Sequence, residues 1–418
     1  MTRPLIPRDI ALPADSDVEN TDEFRRFGCS VLNMNDVIEN DPTNLFHPDF
    51  VREVDIPEAE LEGYRDVTVL NTPDKQERDR LFVREMSHDH LELPVNTQGG
   101  DTEEVEIWGF PDPLGDGELH FPSATMRAVE GDVVHTLFNP SFNRHTIHHH
   151  GIGHTPVNDG VGHTTFELDG DGYIYQFYAK SAGTYIYHCH VNTVLHFEMG
   201  MYGLLIIDPP APPGSLITAP YTDGGQGFVR RAQEIVPYHV EGLWVFDDFD
   251  QRWHNEFRRD HSAGLRCPFE PWDPEPGNAN PHLHRFEPDL FVVTGVIADQ
   301  ANPLVTHPGV ARTAQPGQTV LLRILNASYT KLRVTFPADL NAEVIAMDGK
   351  VLGGEAEKSY SHPFPLSDLG HVFELTTAQR WDVLISNAPE GTWTVEAEYR
   401  HWISGQLLGR ARTQLTVG

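Results

Sequence analysis

The segment YHCHVNTVLHFEMGM, residues 187–201, limits the fold more than any other part of the chain. A cysteine stands between two histidines, His188-Cys189-His190, and His196 and Met201 follow closely. In an extended strand residues i and i+2 leave one face and residue i+1 leaves the other. Cys189 then points to one side of a sheet, and His188 and His190 to the opposite side. The upstream run NRHTIHHHG, residues 143–151, follows the same parity: His148 and His150 share a face, and His145 has the parity of the other. A chain that uses both sides of these strands must have something on each side, which points to layered β-structure.

The residue types say what those sides hold. A thiolate, two imidazoles and a weakly held thioether are the donor set of a blue-copper electron-transfer centre. Parity separates His145 and Cys189 from His148, His150, His188 and His190; with His196 and Met201 supplying the rest of the donor set, His145, Cys189, His196 and Met201 are assigned to that centre, the type 1 copper, and His148, His150, His188 and His190 to a second metal site. One peptide unit joins the two. His149 has the wrong parity for the second site and is expected to pack or hydrogen-bond. His154 and His163 flank the loop GHTPVNDGVGH; they could line a substrate path, but solvated loop residues are the favoured expectation.

Composition agrees with an all-β chain. Of 418 residues, 32 are proline and 35 glycine, with 39% hydrophobic residues, a turn-rich balance unlike that of a helical protein. The length suits two domains of ordinary size. Residues 1–80 read as an acidic, irregular extension with short helices near 22–27 and 57–62. Strand-like segments run from 81 to 212 and close a first domain. A stiff PPAPPG stretch opens a linker over 213–227. Residues 228–418, with GQTVLLRILNAS, AEVIAMDG, RWDVLISNA and GTWTVEAEYRHW, make a second domain.

HTIHHHG and HCH…H…GM, with VEGDVVHTLFNP, NDGVGH, AGTYIYHCH and MGMYGLLIIDPP, resemble the copper motifs of multicopper oxidases and of the related two-domain copper nitrite reductases. The resemblance is strong over about residues 80–210 and weaker to the C-terminus. It implies two cupredoxin-like Greek-key β-barrels, copper as cofactor, and electrons passing from a type 1 copper through Cys189 and His188 or His190 to a second copper centre. His196 follows Cys189 by seven residues, against five in three-domain oxidases and a longer gap in nitrite reductases.

The second domain departs from the oxidase pattern. Where the family carries further His-x-His pairs, this chain reads NASYTKLRVTF, with no histidine, and VEAEYRHWISGQ, with His401 alone. A nitrite-reductase-like layout fits that count: His150 and His188 of one subunit and His401 of a neighbour would form a three-nitrogen site in a homotrimer, with a position open to a small molecule. That family, however, has an aspartate where His148 stands. The pairs His88/His90 and His282/His284 also have i, i+2 spacing, lie off the family's ligand strands, and are expected to be surface pairs. The resemblance therefore implies a copper-dependent oxidase taking electrons from a small-molecule donor, such as a phenol or aromatic amine, and reducing dioxygen. Nitrite reduction and non-enzymatic electron carriage are the alternatives.

The 62 acidic residues against 30 basic give a net charge of −32, which repels nucleic acid and anionic membrane surfaces. Three cysteines do not suggest a disulfide framework, and Cys29 and Cys267 are expected to be free thiols. The N-terminal residues lack a basic stretch followed by an apolar run, so the expectation is a cytoplasmic protein without membrane segments.

Overall fold

A computed structural model describes residues 78–418 except 98–99, 141–143, 155–157, 163–165, 170–171, 258–285 and 355–361. The expected N-terminal helices, Cys29, Cys267, His163 and the pair His282/His284 lie outside the described residues. Strands dominate the rest, with two short α-helices, Thr193–Glu198 and Gln251–Phe257. Among the described residues no helix is long and apolar enough to cross a membrane.

The copper motifs lie in a β-sandwich. One sheet has the strands Arg78–Glu85, Asp132–Asn139 and Tyr173–Tyr178. The other has Ser123–Val129, Tyr202–Asp208, Gly183–His188 and His148–His150, in that spatial order. Alternation sorts each strand's side chains. Tyr185, Tyr187, Leu205 and Ile207 point inward, where they pack with Phe82, Val134, Phe138 and Phe177 of the facing sheet. Ile186, Leu204 and Ile206 point outward against Leu243, Val245 and Leu325.

Those last residues belong to a second sandwich. An eight-stranded sheet built around Val240–Phe249, Val320–Asn326 and Arg380–Ile385 faces a six-stranded sheet around Gly391–Arg400 and Leu407–Val417. Trp244, Leu322, Ile324 and Val383 pack there against Leu332, Val334, Val395 and Leu415.

A buried ionic network spans the junction of the sandwiches. Arg323, 1% exposed, gives hydrogen bonds to Glu241 (2.7 Å) and Thr184 (2.9 Å) and lies 3.3 Å from Asp382. Arg127 pairs with the same Glu241 and with Asp208. Burial alone would raise the Glu241 carboxyl, but the two guanidinium groups outweigh it and hold it down at about 2. The network ties the outer face of the ligand sheet to the second sandwich, and so fixes what lies opposite His188.

Candidate metal centres

The strand Gly183–His188 and the two residues after it present both sites. Its neighbours are Tyr202–Asp208 on one side and His148–His150 on the other, with His188 opposite His148 and Ile186 opposite His150. Gly203 lies opposite Tyr187, and a Cβ there would stand 2.7 Å from the tyrosine ring. A residue without a side chain is what lets Tyr187 lie flat inside the first core.

On the inner face, Cys189 Sγ lies 3.2 Å from His196 Nδ1 and 3.6 Å from His145 Nδ1. All three side chains are buried, and their ligating atoms lie within 4.8 Å of one another. Met201 is fully buried in the same core cluster as Cys189. The Cys189 amide donates to the Met201 carbonyl (3.0 Å) and the Met201 amide to the His196 carbonyl (2.9 Å), which laces the ligand loop into a compact ring. His196 comes from the helix Thr193–Glu198, an element the sequence reading did not expect. Burial pushes the Cys189 thiol up to about 12 and the His196 imidazole down to about 3, and lowers His145 well below its ordinary value, with the neighbouring His196 adding to that. The imidazoles are therefore neutral and ready to coordinate, whereas the thiol must lose its proton to do so.

On the outer face His148, His150 and His188 place their ligating atoms within 4.8 Å of one another. The ring of His190 joins them, 5.3 Å from His148 and 5.6 Å from His188 between centroids. His188 directs Nδ1 to the Cys189 carbonyl at 2.8 Å, and His148 directs Nδ1 to the Asp159 carbonyl at 2.6 Å. A histidine that gives Nδ1–H to a carbonyl keeps Nε2 as its lone-pair nitrogen, the usual support of a metal-bound imidazole. Burial lowers His188 and His148, and lowers His150 to about 4 with help from the Arg380 charge. The donor sets on both faces thus suit copper: nitrogen and sulfur on one, nitrogen alone on the other.

One neighbour of the outer site, Asp159, escaped the sequence reading, and a second, His154, was expected in solvent. Asp159 Oδ1 lies 3.4 Å from Nδ1 of both His148 and His154. The His154 side chain is only 5% exposed, so it is not the solvated loop residue expected. Gly160 shapes this loop: its φ is +68°, and a Cβ there would stand 2.0 Å from the Ile147 carbonyl oxygen. Only glycine allows the loop to press so closely on the ligand strand and bring Asp159 to His148. His149, buried, meets Thr136 Oγ1 at 3.0 Å and packs on Phe177, as its parity required.

His401 is elsewhere. It lies exposed at the turn between Gly391–Arg400 and Leu407–Val417, where its Nδ1 accepts the amide of Ser404 at 3.2 Å. Among the described residues no ligand-competent cluster within one chain includes it. His88 and His90 both flank the carboxylate of Glu106, at 3.4 Å and 3.0 Å.

Residues 117–212, which carry every residue of both histidine clusters, match the family described as multicopper oxidase. Copper resistance protein A of Pseudomonas syringae pv. tomato is 34% identical over 348 residues, 78% of this chain and 48% of that protein. The copper-containing nitrite reductase of Neisseria gonorrhoeae is 36% identical over 113 residues, 26% of each chain. The crystal structure of a blue copper oxidase from Nitrosomonas europaea superposes with a TM-score of 0.53 at 20% identity, over 81% of this chain and 86% of that one. That likeness bears out the all-β, cupredoxin-like architecture. The chain spans about half the length of copper resistance protein A.

Proposed function

Because the chain belongs to the multicopper oxidase superfamily, we propose that it is a copper-dependent oxidase that takes single electrons from a small donor and delivers them to dioxygen. The observation that carries this reading is the two-faced strand: Cys189 faces His145 and His196, while His188, one residue away, faces His148 and His150. Copper held by these two groups would supply one-electron redox chemistry on the inner face and an open coordination position for a small molecule on the outer one.

The residues have distinct tasks. His145, Cys189, His196 and Met201 hold the type 1 position inside a water-excluding core. His188 and Cys189 supply the shortest covalent path between the sites, shortened further by the hydrogen bond from His188 Nδ1 to the Cys189 carbonyl. His148, His150, His188 and His190 form the oxygen-side site, and Asp159 with His154 is placed to hold protons that dioxygen reduction consumes. His401 of a neighbouring subunit completes the site in a homotrimer. Its exposed position at a hairpin turn leaves it accessible to another chain.

Nitrite is the alternative acceptor, favoured by the short nitrite reductase match and by the Asp159–His154 pair beside His148. Oxygen uptake by the copper-loaded protein with hydroquinone tests the main reading. Oxygen consumed with hydroquinone, and no nitric oxide from nitrite without oxygen, supports it; the reverse pattern replaces it with nitrite reduction.

A further inference from the structure

The turn between Ala342–Met347 and Lys350–Val351 belongs to the second sandwich, yet it packs on the strand that ends in His188. Gly349 lies at its tip with φ +74°, and a Cβ there would overlap the Tyr185 ring. Tyr185 Oη donates to the Gly349 carbonyl at 2.7 Å, which holds the turn against the ligand strand. Lys350 then carries its Nζ over the Tyr185 ring, 5.5 Å from the centroid, and 3.4 Å from the carbonyl of Gly151, the residue after His150.

Arg380 reaches the same spot from the strand Arg380–Ile385, with a side chain only 3% exposed. Its Nη1 donates to the Ala378 carbonyl at 2.6 Å and its Nε to the Thr184 carbonyl at 3.3 Å. Nη2 faces Gly151, where a Cβ would stand 3.0 Å from it, and among the described residues no acceptor takes it. Asp348, 40% exposed, lies 3.5 Å from Nη1 and also accepts the Arg380 amide. Asp382 is engaged by Thr184 and Arg323. Burial lowers both cations below their ordinary values; the Arg380 charge lowers Lys350 further, and Asp348 offsets only part of the burial of Arg380. A chain with 62 acidic and 30 basic residues thus sets two undercompensated cations side by side. His148 and His150 are half-buried and Gly151 is exposed, so the outer cluster reaches solvent on this side.

We propose that Lys350 Nζ and Arg380 Nη2 form an anion subsite beside the outer histidine cluster, which takes a small monovalent inorganic anion of the class of nitrite and chloride. Nη1 and Nε are committed to carbonyls, so the guanidinium offers a single nitrogen and not the fork that grips a phosphate or a carboxylate. The lysine adds a point charge on the other side. One donor from each side suits an ion of one charge and few atoms. The second sandwich of the same chain thereby sets the charge at the edge of the outer cluster. The subsite is built from side chains alone, and it stands whether the outer metal position reduces dioxygen or nitrite.

Chlorine NMR of chloride in the presence of the copper-free full chain tests this. The unaltered protein should broaden the chloride line, and added nitrite should reverse the broadening; the ion held more tightly in that competition is the occupant. Lys350→Met should cut the excess broadening about fivefold with circular dichroism unchanged, and Lys350→Arg should retain it. Asp348→Asn removes the carboxylate beside Arg380 while keeping an oxygen for the Arg380 amide, and should increase the broadening. In the copper-loaded chain, Lys350→Met should raise the nitrite concentration that perturbs the paramagnetic resonance of the outer copper by a similar factor, with copper content unchanged. Equal broadening by the unaltered protein and Lys350→Met would mean an adventitious ion only and would overturn the subsite. Broadening that depends on Lys350, in a chain that takes up no outer copper, would uphold the subsite and overturn the oxidase reading instead.

Discussion

His188 and Cys189 are joined by one peptide bond, leave opposite faces of their strand, and are linked again by the 2.8 Å contact from His188 Nδ1 to the Cys189 carbonyl. The cysteine faces two buried imidazoles and the histidine faces three others. The proposed electron path is thus set by the geometry of one short strand.

Replacing Cys189 by serine should abolish the intense visible absorption, because a thiolate-to-copper transition needs the sulfur. The hydroxyl fits the buried space, so circular dichroism should be unchanged. An optical spectrum of the copper-reconstituted variant checks this; retained blue colour would show that Cys189 is not the ligand.

Copper affinity at the type 1 position should fall about tenfold per pH unit from about pH 9 down to pH 5, because one thiol proton must leave when the metal binds. The sign follows from the shifts: burial holds the Cys189 thiol up at about 12, so it is protonated across this range, whereas His196 at about 3 is already neutral. The outer site, where His150 lies at about 4, should show no such slope above pH 5. Competition with a chelator at several pH values reads both, and a flat response at the type 1 site would contradict the buried-thiol account.

Arg323→Met should destabilise the folded protein by about 3–5 kcal/mol, since it leaves Glu241 and Asp382 buried without their shared cation. Urea unfolding of the copper-free chain measures the loss. A change below 1 kcal/mol would show that the network adds little to the junction of the two sandwiches.

His401→Ala should lower the copper content of the outer site and leave the blue absorption intact. Metal analysis and sedimentation of the variant beside the unaltered protein test both the ligand role and the trimer. Full outer-site occupancy in the variant would make the second sandwich a scaffold only.

The parity of His188-Cys189-His190 and of His145, His148 and His150 was legible in the sequence because a strand repeats every two residues and its faces can be counted without knowing the fold. The structure brings those residues together on the faces expected of them. The helix carrying His196 was not legible: six residues are too few for helical periodicity to stand out. Trp108 escaped for another reason: on the strand Thr102–Gly109, it meets the ring of His196 edge to face at 5.6 Å between centroids, a contact with a loop some ninety residues away. Asp159 was hidden similarly, since its place beside His148 depends on Gly160 packing under the Ile147 carbonyl. His154, expected in solvent, is drawn under cover by the same loop.

Copper stoichiometry with paramagnetic resonance, on the unaltered protein and on His188→Ala, tests the two-faced strand most directly. The account predicts one blue copper per chain with at least one further copper, and a His188→Ala protein that keeps the blue signal while losing the other. A single blue copper in the unaltered protein would leave an electron carrier and contradict the proposed oxidase.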